Sequence, residues 1–430
     1  MRIAPALAFF LLAAITLLLP ACVYQEKGCT DITALNYNPN AMADNGSCLY
    51  ALPVPETYRF KRGDSTSVSY KEQVVLNLLI ETICSAIQNL AEQDAQPIEI
   101  EQLTQIYQQT SYNGAIRSST GSYTPAANTF TQIATGQRLS ANVVNTYKAD
   151  SMLLSWFDSI AVRSQNALYL GTPAVYTTAS GFNMLAAVRV TLQASVSCAN
   201  GVNLVKNISS NANNLLSGIN NYTPMEHAWD KAWGFFGAAT CWPAFDAESW
   251  SVQNFMDYDF NDTINFVSEY NFLYAGEAAQ RDLMSDPETD FSNTLFNAWV
   301  GGRTAITNKT DELRSAARQT ILDEWERLIA ATAIHYLNAL KTDMTFLGTP
   351  DENTAKLNSD WTYLWAYLVN LRYFTTPKAD VPDLLLLLGE APLYALPDTE
   401  AYLLQMEKLQ LVSAELQSGY GFTDFQMQHW

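Results

Sequence analysis

From about position 57 onward, apolar residues recur with the spacing of one helical face. Val75, Leu78, Leu79, Thr82, Ile83, Ala86, Ile87 and Leu90 follow i, i+3, i+4, i+7, i+8, which predicts an amphipathic helix over 70–90. Such a helix needs partners, because one face must be taken out of water. The same periodicity predicts helices over 149–164, 224–236, 276–284, 292–307, 311–340 and 360–373. Period-two alternation hardly occurs outside 58–70, and no fixed repeat of tetratricopeptide length is found. Polar or turn-rich stretches at 93–97, 118–127 and 375–383 read as connecting loops, and the leucine run 384–388 as the core of a short helix. The expected fold is all-α, a helical bundle protein.

The N-terminus follows a different pattern. Arg2 precedes an apolar run over 6–19, broken only by Thr16, that ends Leu19-Pro20-Ala21-Cys22. The run is shorter than the roughly 20 residues a membrane span needs, and a cysteine directly follows a small residue. This predicts a lipoprotein signal over 1–21 with acyl chains on Cys22; the alternative is an ordinary secretory peptide with a chance cysteine. Three segments result: the signal, 1–21; anchor, Cys-bounded segment and linker, 22–56; and the helical body, 57–430. The address is the bacterial cell envelope, and Val23 after the cysteine resembles the lipoproteins sent to the outer membrane, whether periplasmic or surface-facing.

Composition narrows the partners. Lys+Arg 24 against Asp+Glu 43 gives a net charge of −19 over 430 residues, so phosphate backbones would repel the chain and nucleic acid is excluded as a partner. Hydrophobic residues at 48% exclude a disordered chain and allow a large core. Six cysteines, with Cys22 lipidated, leave at least one free thiol. Cys29 and Cys48 are read as a disulfide, because they bracket a compact polar segment with no other means of holding together. Cys198 with Cys241 is a candidate second bridge, and Cys84 reads as a buried apolar residue.

Candidate chemistry centres on few residues. Thr223-Pro224-Met225-Glu226 has the form of a capping box with proline at the first helical position, so a helix starts there. Steps of about 100° place Trp229, Ala232, Trp233 and Phe236 on one side and His227, Asp230, Lys231 and Gly234 on the other. His227 and Asp230, three apart, are the candidate metal ligands, with Gly234 leaving space beside them; the alternative is a surface histidine paired with a helix acid. His335 lies on a helix face that runs back to Glu324, and both, with Arg303, are candidate site walls. Asp257, Asp259 and Asn261 occupy the first, third and fifth positions of an EF-hand-like loop, but Asp262 replaces the turn glycine and Glu269 comes one residue late. They are candidate calcium ligands or simply a solvated acidic loop. His-Glu-x-x-His, Gly-x-Ser-x-Gly, phosphate-binding glycine loops and Cys-x-x-Cys are absent, so common hydrolase, nucleotide and zinc-finger chemistries lack support. With only three histidines, any metal site leans on carboxylates, which suits iron or calcium.

Two resemblances extend this reading. Gly28-Cys29-Thr30-Asp31, Asn36-Tyr37 and Asp44-Asn45-Gly46-Ser47-Cys48-Leu49-Tyr50 resemble a Cys-bounded repeat of Bacteroidetes surface proteins, related to thrombospondin type 3 calcium repeats. Asp31 and Asp44 would then be calcium candidates, or turn formers without an ion. Thr57-Tyr58-Arg59-Phe60, His227-Ala228-Trp229-Asp230-Lys231-Ala232-Trp233-Gly234, Gly302-Arg303-Thr304-Ala305-Ile306, Ala333-Ile334-His335-Tyr336 and the stretch 361–373 resemble lipoproteins of domain of unknown function family 4856. That family is similar to imelysin-like proteins, which implies a pair of helical bundles and a setting in iron uptake. The imelysin-like Gly-x-His-x-x-Glu maps onto Met225, His227 and Asp230, so the histidine carries over and the carboxylate only by type.

The expected function is a non-enzymatic, lipid-anchored envelope protein that binds iron or an iron-bearing ligand and works with an outer-membrane uptake receptor or a related envelope lipoprotein. Alternatives are a metallopeptidase of the imelysin-associated kind, or a surface glycan- or protein-binding lipoprotein with an exposed aromatic platform.

Overall fold

In the computed structural model, residues 26–48, 50–209, 213–216, 218–245, 253–284, 289–374 and 376–430 are described. The predicted signal and Cys22 lie outside the described residues. The chain divides into two units, one up to Pro53 and one from Val54 to Trp430.

The described part of the first unit is a small module. Its strands β1 (Lys27–Gly28) and β2 (Ala43–Asp44) pair in parallel, and Cys29 is disulfide-bonded to Cys48. The remaining order comes from side chains bonding nearby backbone: Asp31 accepts from Thr33 N–H at 2.8 Å, Asn38 from Asn40 N–H at 3.0 Å and Asp44 from Gly46 N–H at 3.1 Å. These are the bonds by which Asp and Asn build turns. Tyr50 adds a bond from its hydroxyl to the second oxygen of Asp31 at 2.8 Å. Among the described residues, Asp31 and Asp44 do not gather with a third potential metal ligand.

The second unit is helical. After a hairpin of β3 (Lys61–Arg62) and β4 (Ser65–Thr66) come α1 (Lys71–Gln88), α2 (Ile100–Gln108) and α3 (Ala149–Ser164). Helix α4 (Met184–Leu192) runs through a π-helical stretch, Gln193–Cys198, into α5 (Ala199–Asn207). There follow α6 (Pro224–Phe236), α7 (Leu273–Met284), α8 (Phe291–Thr307), α9 (Asp311–Thr345), α10 (Thr354–Asn370), α11 (Val381–Leu388), α12 (Glu400–Tyr420) and α13 (Asp424–His429). One further strand pair, β5 (Thr124–Pro125) with β6 (Thr263–Ile264), ties two loops together.

Helix α9, about 52 Å long by its rise per residue, organises the rest. It packs along α8 on one side and α10 on the other, and also meets α5, α7, α12 and α13. Helix α1 is apolar enough to cross a membrane, yet it is packed inside the helical unit against α4 and α6. At the centre, Trp229, Trp233, Trp299 and Trp325 are fully buried and meet edge to face, with Phe236 among them. Such edge-to-face pairs add to the burial of their large apolar area.

The helix predicted at 224–236 forms with those limits. Thr223 and Glu226 exchange the two capping bonds, at 3.2 and 2.8 Å, and Gly237 closes the other end with φ +85°. Helices α2, α12 and α13 and the α4–π–α5 rod escape the periodicity analysis. In α4, every residue but Arg189 is buried, so no polar face exists to mark a period. The candidate second bridge does not form: Cys84, Cys198 and Cys241 are all free and buried.

Candidate functional site

The start of α6 holds a buried ionic cluster. Arg303, fully buried on α8, donates from Nε to Asp230 at 2.9 Å and from Nη1 to Glu226 at 2.9 Å, and from Nη2 to the Ser67 carbonyl at 3.0 Å. Arg62 reaches Glu226 from the hairpin at 3.0 Å, and Thr307 donates to the same carboxylate at 2.8 Å. Asp230 also accepts from the Tyr58 hydroxyl at 2.9 Å and from Ser69 N–H at 3.3 Å. Burial pushes Asp230 up to about 6, against the pull of Arg303 and the bonds from Tyr58 and Ser69. Burial also opposes ionisation of Glu226, but Arg303, Thr223, Thr307 and Arg62 together hold it below the usual carboxylate range.

This arrangement decides what His227 and Asp230 can do. Both oxygens of Asp230 are taken, one by a guanidinium, so the pair does not suit a shared metal ion without dismantling the cluster. His227 is half-buried, stacks on Tyr222 at 4.6 Å, and is held toward its neutral form by burial and Lys231. Gly234 opens no space beside them: a β-carbon there would meet Tyr70 and Gln73 at 2.8 and 2.9 Å, so the glycine lets α1 approach α6. Arg303 does join Asp230, whereas Glu324 pairs with Arg327 at 3.0 Å. His335 stands against Tyr336 with Arg281, Lys356 and the Trp430 backbone around it, and burial pushes it down to about 4. The two histidines therefore have separate surroundings.

In the EF-hand-like loop, Asp257, Asp259 and Glu269 bring carboxylate oxygens within 4.8 Å of one another. Asp257 accepts from the N–H groups of Asn261 and Asp262, and buried Glu269 from those of Tyr258 and Asn265. Asn261 bonds Thr263 N–H at 2.8 Å and turns to its own loop. The carboxylates thus already serve as loop staples.

A different place has the form of a binding site. A cleft of about 460 Å³ opens between α1, the α4–π rod and α7, within the usual range for small-ligand pockets. Its walls are mixed, with apolar surface from Ile80, Phe272 and Leu273 beside polar groups: Glu81 from α1, Arg189 and Gln193 from the rod, Glu277 from α7, Asn271 before it and Arg117 at an exposed loop. Gln193 begins the π-helical stretch, a local widening often found beside functional sites. The Ser195 carbonyl in that stretch accepts from Val144 N–H, outside the rod, at 2.9 Å. Glu81 accepts from the Ser118 hydroxyl and from Tyr270 at 3.1 Å, and burial pushes it up to about 6. Glu277 accepts from Tyr367 at 3.0 Å and lies 4.0 Å from Arg281.

None of these cleft residues stands out by motif. The signal available in sequence was a single charge inside an apolar helix: Glu81 within Val74–Leu90 and Arg189 within Met184–Leu192. Such charges are costly to bury and so mark places where the fold keeps a polar pocket.

No curated protein and no solved structure matches the chain. A family model described as a domain of unknown function (DUF4856) matches residues 199–423. The match takes in the α5-to-α12 frame, with Arg303, Asp230, the tryptophan core and the α7 wall of the cleft, and on its extent the chain belongs to that family.

Proposed function

We propose that this is a non-enzymatic, lipid-anchored envelope protein, tethered through Cys22 after loss of residues 1–21, whose imelysin-like helical body binds an iron-bearing ligand and passes it to an outer-membrane uptake receptor. The cleft between α1, the α4–π rod and α7 carries this reading, because it offers a small polar ligand a pocket of suitable size. Iron in this reading arrives already chelated. His227 and Asp230 do not suit a bare ion, and the cleft's own acids are bonded to neighbouring donors.

Among the described tryptophans, Trp229, Trp233, Trp242, Trp299, Trp325, Trp361 and Trp430 are buried, which gives a glycan-stacking surface little material. A metallopeptidase would need a metal-bound water and a base, and His227 with Asp230 supplies neither. The test is titration of the full chain with ferric chelates of small hydroxy acids, followed by calorimetry, alongside a casein-cleavage assay with and without chelator. Saturable binding without cleavage supports the reading. Chelator-sensitive cleavage would replace it with the peptidase. Acyl labelling lost in Cys22→Ser tests the anchor.

A further inference from the structure

Two buried donors in the cleft lack acceptors. The Nε of Arg189 is buried without a hydrogen-bond partner, and the guanidinium makes one long bond, 3.5 Å from Nη2 to Gln88 Oε1. Among the described residues, no carboxylate lies within ion-pair distance of Arg189 or of Arg117. Asn271, 1% exposed, uses its Oδ1 to accept from Ala239 N–H at 2.7 Å, while its Nδ2 is buried with no partner. Both residues line the same cleft.

Arg303 has two carboxylates, a hydroxyl and a carbonyl to receive its donors, and Arg281, Arg314, Arg318 and Arg327, which like Arg189 keep a buried Nε without a partner, each have a carboxylate or a carbonyl for another nitrogen. Arg189 has no such set. Unmet buried donors are costly, more so when charged, and the Arg189 guanidinium, lining the pocket without an ion-paired carboxylate and beside the Asn271 amide, is suited to oxygen acceptors from outside. The nearby acids do not supply them, since Glu81 is engaged by Ser118 and Tyr270, and Glu277 by Tyr367 and Arg281. Those same acids limit the negative charge a ligand can bring. A single carboxylate matches the planar guanidinium, whereas a phosphate dianion beside Glu81 and Glu277 would meet repulsion. Hydroxyls suit the remaining wall, where Asn271 donates and Gln193, Glu81 and Glu277 can accept.

We propose that Arg189, with Arg117 at the rim, anchors the carboxylate of a small hydroxy acid, whose hydroxyls face Asn271 and Gln193. This rests on the reading of the cleft as the ligand site; it adds the ligand's chemical class and holds whether that acid arrives free or as a ferric chelate.

Calorimetry on the full chain with gluconate, sorbitol, inorganic phosphate and ferric gluconate separates the outcomes. Gluconate is expected to bind saturably, sorbitol at least tenfold more weakly, and Arg189→Gln to lose at least tenfold in gluconate affinity with an unchanged melting profile. Arg189→Lys keeps the charge without the fork and is expected to fall between the two. Failure of gluconate to bind, a preference for phosphate, or equal gluconate affinity in Arg189→Gln would overturn the assignment. If Arg189→Gln does not fold, the ratio of gluconate to sorbitol affinity in the unmodified chain decides. Tighter binding of ferric gluconate than gluconate supports the iron reading as well; equal affinity would sink iron and leave the carboxylate anchor standing.

Discussion

Arg303 and Arg189 are both interior guanidiniums, and their different surroundings give different predictions. Replacing Arg303 with Met leaves Glu226 and Asp230 buried without their main cation. Loss of one partner from a buried ion pair typically costs about 3–5 kcal/mol. Arg303→Met should lose that much in urea unfolding, and adding Glu226→Gln and Asp230→Asn should recover a large part, because the orphaned charges are then gone. Additive losses across the three substitutions would count against the network. Glu81 gives a pH prediction. Its folded pKa of about 6 lies above the ordinary 4.5, so between those values the native chain holds the proton more tightly than the unfolded chain. Stability contributed by this group therefore falls as pH rises through that window, by about 1–2 kcal/mol once solvent in the cleft is allowed for. Glu81→Gln keeps acceptors for Ser118 and Tyr270 and should gain on the unmodified chain by that amount between pH 4.5 and 7, in denaturation curves collected across the range. A flat difference would mean that the cleft solvates the carboxylate fully.

The elements show why some of this architecture was readable and some was not. The start of helix α6 was read from its caps, since Thr223, Pro224 and Glu226 carry their meaning locally. Helix α1 was read from its stripe of apolar positions. The α4–π stretch was not, because burial on nearly all sides erases the stripe, and a widened turn has no residue signature. The role of Gly234 was misjudged for a related reason: helical spacing shows which residues share a side, but not that another helix fills the gap. The strings that carried the family resemblance mostly build the core, with Tyr58 stacked on Trp233 at 4.3 Å and Phe60 lying 4.9 Å from the Arg303 guanidinium. The widened turn has its own consequence. Deleting Ser195 would restore an α-helical ladder with α4 and α5 still in phase, and would remove the carbonyl that Val144 N–H uses. A loss of about 1–3 kcal/mol in thermal or urea unfolding is expected, from the acceptor that Val144 N–H gives up. A deletion variant as stable as the parent would show that the π stretch is incidental. In the small module, Cys29 and Ala34 are the buried apolar residues among those described, so the Cys29–Cys48 bond supplies most of its order. Reduction should bring its amide hydrogen exchange close to that of an unstructured peptide; protection that survives reduction would indicate another source, such as a bound cation.

For the molecule as a whole, charge and cleft pull in different directions. A net charge of −19 repels itself most strongly in the compact state, while the ion pairs that matter most, around Arg303, are buried. Salt screens charges facing solvent within about 10 Å at 0.1 M and reaches buried pairs far less. Raising sodium chloride from about 10 mM to about 0.2 M should therefore relieve the surface repulsion and leave the interior network in place, increasing the melting temperature by roughly 2–5 °C. The same acidity explains why an anion site cannot lie open on this surface. A carboxylate approaching the chain meets repulsion until it reaches a guanidinium withdrawn from solvent with no carboxylate in ion-pair contact, which describes Arg189 within the cleft. A melting temperature that falls with salt would mean that solvent-facing ion pairs such as Lys378 with Asp323 outweigh the net charge. In that case the field around the cleft would be set by local pairs, and the discrimination against phosphate argued above would have to come from Glu81 and Glu277 alone.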